Sequence, residues 1–156
     1  MKAALMKRLS ALLLVMLLLF SLPSALAQDA VCESGGFTLT LPDSFRPVGP
    51  QSSDDPELCF NWQGGNINVQ GFAVPMGKKV KLKDLYQILT DDVTDYGTLT
   101  INRQDMLYAR GKDDFGTYYQ YSWLNNGTRI DLYFYYEGKD AILTIDDIIH
   151  SLVLSK

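Results

Sequence analysis

"GTYYQYSWLNNGTRIDLYFYYEG", residues 116–138, holds eight aromatic side chains in 23 positions. It reads either as a surface built to grip a ligand or as the inside of a sheet. Asn126-Gly127 lies between two alternating segments, and this dipeptide favours the two-residue turn whose positive φ angles match the twist of a hairpin. With those two residues as the turn, Trp123 pairs with Ile130, Tyr121 with Leu132 and Tyr119 with Phe134. All six fall on one face and suit a core. The other face pairs Leu124 with Arg129, Ser122 with Asp131, Gln120 with Tyr133 and Tyr118 with Tyr135, which is a mixed surface. Half of the aromatic band is therefore structural. Tyr118, Tyr133 and Tyr135 remain as a candidate binding surface for a partner or a sugar, since exposed aromatic patches mark interfaces. The same rings also suit packing beneath a helix, or stiffening of the sheet through cross-strand pairs. Asn126-Gly127-Thr128 spells a glycosylation sequon as well, but the turn already accounts for these residues.

Working outward, "TIDDIIHSLVL" (144–154) reads as a closing helix. Thr144 is its expected N-cap, Asp147 stands three residues on, and Ile145, Ile148, Ile149 and Leu152 form a buried stripe. Upstream, "TLTINRQDMLYARG" (98–111) reads as a strand or a strand pair bent near Asn102 to Asp105. "LKDLYQILTDDVTDYG" (82–97) places Leu82, Leu85, Leu89, Val93 and Tyr96 at spacings of three and four, which predicts a first helix stopped by Gly97. "LCFNWQGGNINVQGFAV" (58–74) predicts a hairpin turning at Gly64-Gly65. Trp62 then faces Ile67, Phe60 faces Val69, and Cys59 points away from the Trp62 side. "GGFTLTLPDSF" (35–45) alternates Phe37, Leu39 and Leu41 against threonines, a half-buried strand ended by Pro42. Residues 46–57 are a loop by composition. The expected fold class is thus α+β: an antiparallel sheet of about six strands flanked by helices, ordered three strands, helix, three strands, helix.

Residues 1–27 read as a signal peptide. Lys2, Lys7 and Arg8 precede the apolar run Leu9 to Leu22, and Ala25-Leu26-Ala27 fits the small-x-small cleavage rule. The run is shorter than the roughly 20 residues that a spanning helix needs. A lipid anchor at Cys32 is disfavoured by Val31 and Asp29 before it. Cleavage after Ala27 would leave residues 28–156 as one exported domain without stable membrane insertion. All 18 acidic residues would stay while three of the 14 basic ones leave. The remaining balance is strongly acidic and disfavours nucleic acid as a partner. Cys32 and Cys59 are the only cysteines, and an oxidising compartment lets them pair.

No catalytic signature is present. The single histidine, His150, sits on the polar flank of a terminal helix, and there is no GxSxG, HExxH, P-loop or GxGxxG. No catalytic residue, metal site or cofactor is expected. Four Asp-Asp pairs occur, at 54–55, 91–92, 113–114 and 146–147. "GKDDFGT" is the best candidate for calcium, although it lacks calcium-loop spacing and suits a solvated turn. Lys78, Lys79, Lys81 and Lys83 crowd a predicted helix N-terminus, where they oppose the dipole. They are a candidate contact for an anionic envelope component such as a phosphate polymer or lipid headgroups.

"GFTLTLPDSF", "LKDLYQIL" and "TIDDIIHSLVL" together resemble the opening strand, first helix and closing helix of the PsbP-like fold. The order of elements matches along almost all of residues 28–156. That fold is shared by the photosystem II extrinsic subunit, a Ran-binding import factor and many exported bacterial proteins, DcrB-type envelope proteins among them. The resemblance implies a non-enzymatic binding or accessory module, and it carries over no functional residue. Two functions stay open: an exported domain that presents a surface to an unknown protein or envelope component, and a small-ligand or glycan-binding domain with a pocket between sheet and helix.

Overall fold

Alternation of apolar and polar side chains dictates strands, and the computed structural model contains ten of them among the residues it describes, 27–49 and 55–155. They are β1 (Gln28–Cys32), β2 (Phe37–Leu41), β3 (Arg46–Pro47), β4 (Leu58–Gly64), β5 (Ile67–Pro75), β6 (Val93–Ile101), β7 (Gln104–Asp113), β8 (Gly116–Asn125), β9 (Thr128–Tyr136) and β10 (Val153–Leu154). A 3-10 helix, Leu82–Ile88, separates β5 from β6, and helix α1 (Ala141–His150) precedes β10. The signal peptide read over residues 1–27 lies outside the described residues apart from Ala27.

The strands form two sheets, every pairing antiparallel. One has three strands in the order β1-β2-β10 and the other has seven in the order β3-β4-β5-β9-β8-β7-β6. The α+β expectation holds at the level of class, but the count of about six strands in one sheet does not. The three-stranded sheet packs together with α1 over one face of the seven-stranded sheet. Phe37, Leu39 and Leu41 from β2, Ile145, Ile148 and Ile149 from α1, and Val69, Trp123, Ile130, Leu132 and Phe134 from the large sheet share one core. Burying each such side chain contributes roughly 1.5–3 kcal/mol.

The β8–β9 hairpin has the register that Asn126-Gly127 predicts, with Trp123 opposite Ile130, Tyr121 opposite Leu132 and Tyr119 opposite Phe134. Asn126 and Gly127 take φ of 50° and 84°, as this turn requires. The β4–β5 hairpin turns one residue later than expected, at Gly65-Asn66, so Trp62 faces Val69 and Phe60 faces Gly71. Each partner moves by two residues, which leaves the faces unchanged. An irregularity between Leu58 and Phe60 then turns Cys59 inward. Cys59 packs against the same core as Trp62 instead of pointing away from it. From there it forms the disulfide with Cys32, Cα to Cα 5.2 Å, tying β1 of the small sheet to β4 of the large one.

The first helix is the main correction. The spacing of Leu82, Leu85, Leu89, Val93 and Tyr96 predicts one long stripe, but only Leu82–Ile88 is helical and only Leu85 of it is buried. Val93–Ile101 is a strand, and Gly97 lies within it rather than ending a helix. Its residues, VTDYGTLTI, are mostly β-branched or aromatic and suit a pleated surface. The closing helix keeps its predicted stripe, but it begins at Ala141 with Asp140 at the cap, so Thr144 lies inside it. Val153 and Leu154 leave the helix and pair with β2.

Candidate functional site

The face of the large sheet that points away from the main core carries three rows, set by the register. Asn68, Tyr135, Tyr118 and Gly111 form one; Gln70, Tyr133, Gln120 and Ala109 the next; Phe72, Asp131, Ser122 and Leu107 the third. The 3-10 helix lies against β7 and β8 on this side. Leu85, Leu107, Ala109 and Tyr118 are buried, as is a chain of polar groups. Gln120 Nε2 donates to Ser122 Oγ at 3.0 Å, Ser122 Oγ donates to Asp131 Oδ1 at 2.6 Å, and Arg129 Nε donates to Asp131 Oδ2 at 2.7 Å. Each buried group has a partner, so the row carries no desolvation debt.

The three tyrosines of the candidate surface touch one another. Tyr133 and Tyr135 stack with centroids 6.2 Å apart, and Tyr118 stands at 5.8 Å from Tyr133 and 5.9 Å from Tyr135. They are not equally open. Tyr118 is only 2% exposed, and its hydroxyl donates to Asp92 Oδ2 at 2.8 Å. Gly111 opposite it leaves the needed room, because an added Cβ would stand 2.7 Å from the Tyr118 ring. Burial first, and the Asp92 bond second, push the Tyr118 phenol up to about 12. Asp92 is lowered in turn, chiefly by its bond from Thr90 and then by that from Tyr118. Tyr133 and Tyr135 are half-buried, and both phenols are raised, mainly by burial. The ring of Tyr118 is therefore part of a second, smaller core, and Tyr135 is the member that reaches an open space.

That space is a cleft of about 870 Å³ at one end of the large sheet. Three chain segments close around it: the β4–β5 turn at Gly65 and Asn66, the β7–β8 turn at Phe115 and Gly116, and the β9–α1 connection from Glu137 to Lys139. Glu137 N–H donates to Asn66 O at 3.1 Å, and Asn66 Nδ2 donates to Glu137 O, so two of these walls are fastened together. Asp113 fastens the third. Its Oδ1 accepts the N–H groups of Phe115 and Gly116 at 2.8 and 3.1 Å, and its Oδ2 accepts the Tyr135 hydroxyl at 2.9 Å. This is an Asx-type turn. It holds Phe115, 86% exposed, with its ring 6.1 Å from that of Tyr135. Both carboxylate oxygens of Asp113 are thus engaged in shaping the wall. Among the described residues no group of three or more histidines, cysteines or carboxylates could hold a metal ion.

The cleft is positive in an acidic chain. Arg110, Lys112 and Lys139 line it against Glu137, with the Asp113 carboxylate bonded to its wall. Among the described residues the ion pairs are Arg129 with Asp131 and His150 with Asp146, so none of these three cations is neutralised by a carboxylate. Arg110 lies over the Tyr119 ring at 5.8 Å, and Tyr119 stacks on Tyr136 at 5.4 Å, which supports the guanidinium from below. Of the candidate binding residues read from sequence, the cleft includes Tyr135 only, while the "GKDDFGT" stretch weighed for calcium contributes Lys112, Phe115, Gly116 and Thr117 to its lining. Lys78, Lys79, Lys81 and Lys83 are all exposed, but they sit at the opposite end of the sheet. There, Met76 and Gly77 N–H both donate to Gly127 O of the β8–β9 turn at 2.9 Å.

No family model matches the chain, and no curated protein matches it. Among solved structures it is similar to cyanobacterial PsbP (CyanoP) from Synechocystis sp. PCC 6803, with a TM-score of 0.63 and 12% identity over 86% of this chain and 95% of that one. It is also similar to a protein from Bacteroides thetaiotaomicron VPI-5482, with a TM-score of 0.58 and 14% identity over 83% of this chain and 48% of that one. The fold is PsbP-like. At these identities the likeness speaks for the fold and leaves function to the site.

Proposed function

We propose that this PsbP-like chain is an exported, non-enzymatic binding domain of the accessory kind, and that it takes an anionic ligand in the cleft at the β4–β5 and β7–β8 end of its sheet. The observation that carries this reading is the convergence of Arg110, Lys112 and Lys139, unpaired by carboxylates, on one preformed concavity. Ligand sites are concave, largely preformed and furnished with a few convergent polar groups, and this volume falls within their usual range of about 300–1,000 Å³. The non-enzymatic part rests on the sequence, which carries no catalytic motif. Export rests on the residues 1–27 pattern, and the Cys32–Cys59 disulfide supports it. Among the described residues no helix is long and apolar enough to cross a membrane.

A rival surface is the lysine group Lys78, Lys79, Lys81 and Lys83, which would take an anionic envelope component without any concavity. The two ends of the sheet are separable by nuclear magnetic resonance. Citrate, a generic polyanion, should shift the amide signals of Arg110, Lys112, Gly116 and Lys139, and leave those of Lys78 to Lys83 in place. Shifts confined to the lysine segment would move the site to the other end of the molecule. No shift at either end would remove anion binding altogether.

A further inference from the structure

We infer that the ligand of this cleft is an acidic polysaccharide segment, a chain of carboxylated sugar units. The inference rests on the cleft reading above and adds the ligand's class. Three features combine. The cations demand negative charge, and they come from two segments of the lining, Arg110 and Lys112 two residues apart on β7 and Lys139 on the β9–α1 connection. A single compact anion would engage one or two of them, whereas a polymer with regularly spaced carboxylates engages all three. Phe115 and Tyr135 line the same cleft from the outer face of the sheet, whereas Arg110 and Lys112 reach it from the inner face; Asp113 holds the Phe115 main chain and the Tyr135 hydroxyl, and the two rings meet edge-on. A large apolar ring at 86% exposure has no core role, and an exposed aromatic face is what the C–H face of a sugar stacks on. Finally, Gln63 on the rim is exposed and supplies an amide that both donates to and accepts from hydroxyl groups.

An acidic peptide fits less well. A cluster of basic side chains can take acidic peptides, but such a peptide offers no sugar C–H face to the exposed Phe115 ring, and this end of the sheet, closed by turns joining β4 to β5 and β7 to β8, gives it no free strand edge to extend.

The test is calorimetric titration of the purified chain with an α-1,4-linked galacturonic acid hexamer. Maltohexaose, a hexaglutamate peptide and phosphatidylglycerol vesicles are titrated alongside it. The galacturonate hexamer should bind, and binding should weaken with salt. Maltohexaose and hexaglutamate should each bind at least about tenfold more weakly, one lacking the charge and the other the sugar face. Phe115→Ala should cost about tenfold toward the hexamer and less toward citrate, whereas Arg110→Gln with Lys112→Gln should weaken both. All three side chains are exposed, so unchanged thermal unfolding checks that these variants remain folded. Equal affinity for hexaglutamate, or an indifferent Phe115→Ala, would overturn the sugar assignment. Binding to vesicles alone would replace it with a membrane surface. A silent hexamer with citrate shifts intact at the cleft removes the sugar class and keeps the cleft; silence from both removes the cleft as well.

Discussion

The two faces of the β8–β9 hairpin are made by the same two strands and are buried by different physics. Toward the main core, Trp123, Ile130, Leu132 and Phe134 are each 0% exposed, and Trp123 meets the Phe37 ring edge-on at 5.2 Å. Almost nothing there is directional. The one polar side-chain atom among these four, Trp123 Nε1, has no acceptor. Toward the other side, Gln120, Ser122 and Asp131 are also buried, but each is held by named hydrogen bonds, with Arg129 closing the chain. The first face depends on volume and tolerates an unpaired group. The second depends on pairing, and its stability is lost group by group when a partner is removed. It also grades into the cleft at one end of the sheet. The row of Tyr118 and Tyr135 is fastened by Asp92 and Asp113, and Tyr135 is already part of the cleft wall.

The largest effect should come from the inner face. Trp123→Ala is expected to cost about 4 kcal/mol in denaturant unfolding, the scale of an aromatic truncation in a close-packed core. Trp123→Phe should cost less than half as much, because it keeps a ring against Phe37 and removes the unpaired N–H. If the two variants were equally destabilised, the indole nitrogen would have a partner and the contrast between the faces would weaken. Next comes the disulfide that clamps the small sheet onto the inner face. Its loss, by replacing Cys32 and Cys59 with serine, should cost about 3 kcal/mol on a chain-entropy argument for a loop of this length. An unchanged melting temperature would mean that the core alone holds β1 to β4. On the outer face, Asp131→Ala should cost about 2 kcal/mol, since it leaves Ser122 and Arg129 without their acceptor in a buried row. A cost within error of zero would mean that water reaches this row and that the 3-10 helix covers it loosely.

The inner face was the part most legible in the sequence, for a physical reason. Asn126-Gly127 fixes a turn, the turn fixes a register, and a period of two then assigns every side chain on both strands. The α1 stripe was legible in the same way, through Ile145, Ile148 and Ile149, while Leu152, read as its fourth member, is buried just beyond the helix end. The stretch from Leu82 to Ile101 was not. Five apolar residues at helical spacing coincide there with a β-branched run, and pairing with β7 won over helix periodicity. The strands β3 and β10 were missed because segments of two residues carry too little pattern, and β1 because QDAVC lacks the alternation that marks FTLTL of equal length. The cleft was hidden for another reason. Gln63, Arg110, Lys112, Phe115, Tyr135 and Lys139 come from three separate segments that only the sheet brings to one end. Even "GKDDFGT", singled out for its paired carboxylates, gave no sign that Asp113 serves to present Phe115. The lysines, contiguous and easy to see, lie at the far end.

The smallest effect tests how far the outer face is sheltered where it meets the cleft. Tyr135→Phe keeps the ring and loses only the bond from its hydroxyl to Asp113, so it should cost about 1 kcal/mol near neutral pH. Its second signature is in alkali. Burial raises the phenols of Tyr118, Tyr133 and Tyr135 on this face and that of Tyr121 on the other, with Tyr118 and Tyr121 both reaching about 12. An unfolded tyrosine ionises near 10. Below that pH both states keep their protons, and these groups make no pH-dependent difference. Above it the unfolded chain loses protons first, so stability falls as pH rises toward the folded values. Denaturant unfolding of the wild type should therefore be level up to about pH 9.5, if these tyrosines dominate, and decline beyond 10. Removing one shifted phenol, Tyr135→Phe should decline less steeply. Should the two slopes coincide, Tyr135 would titrate as a solvated phenol, Asp113 would not hold it in place, and the aromatic wall of the cleft would be mobile rather than preformed.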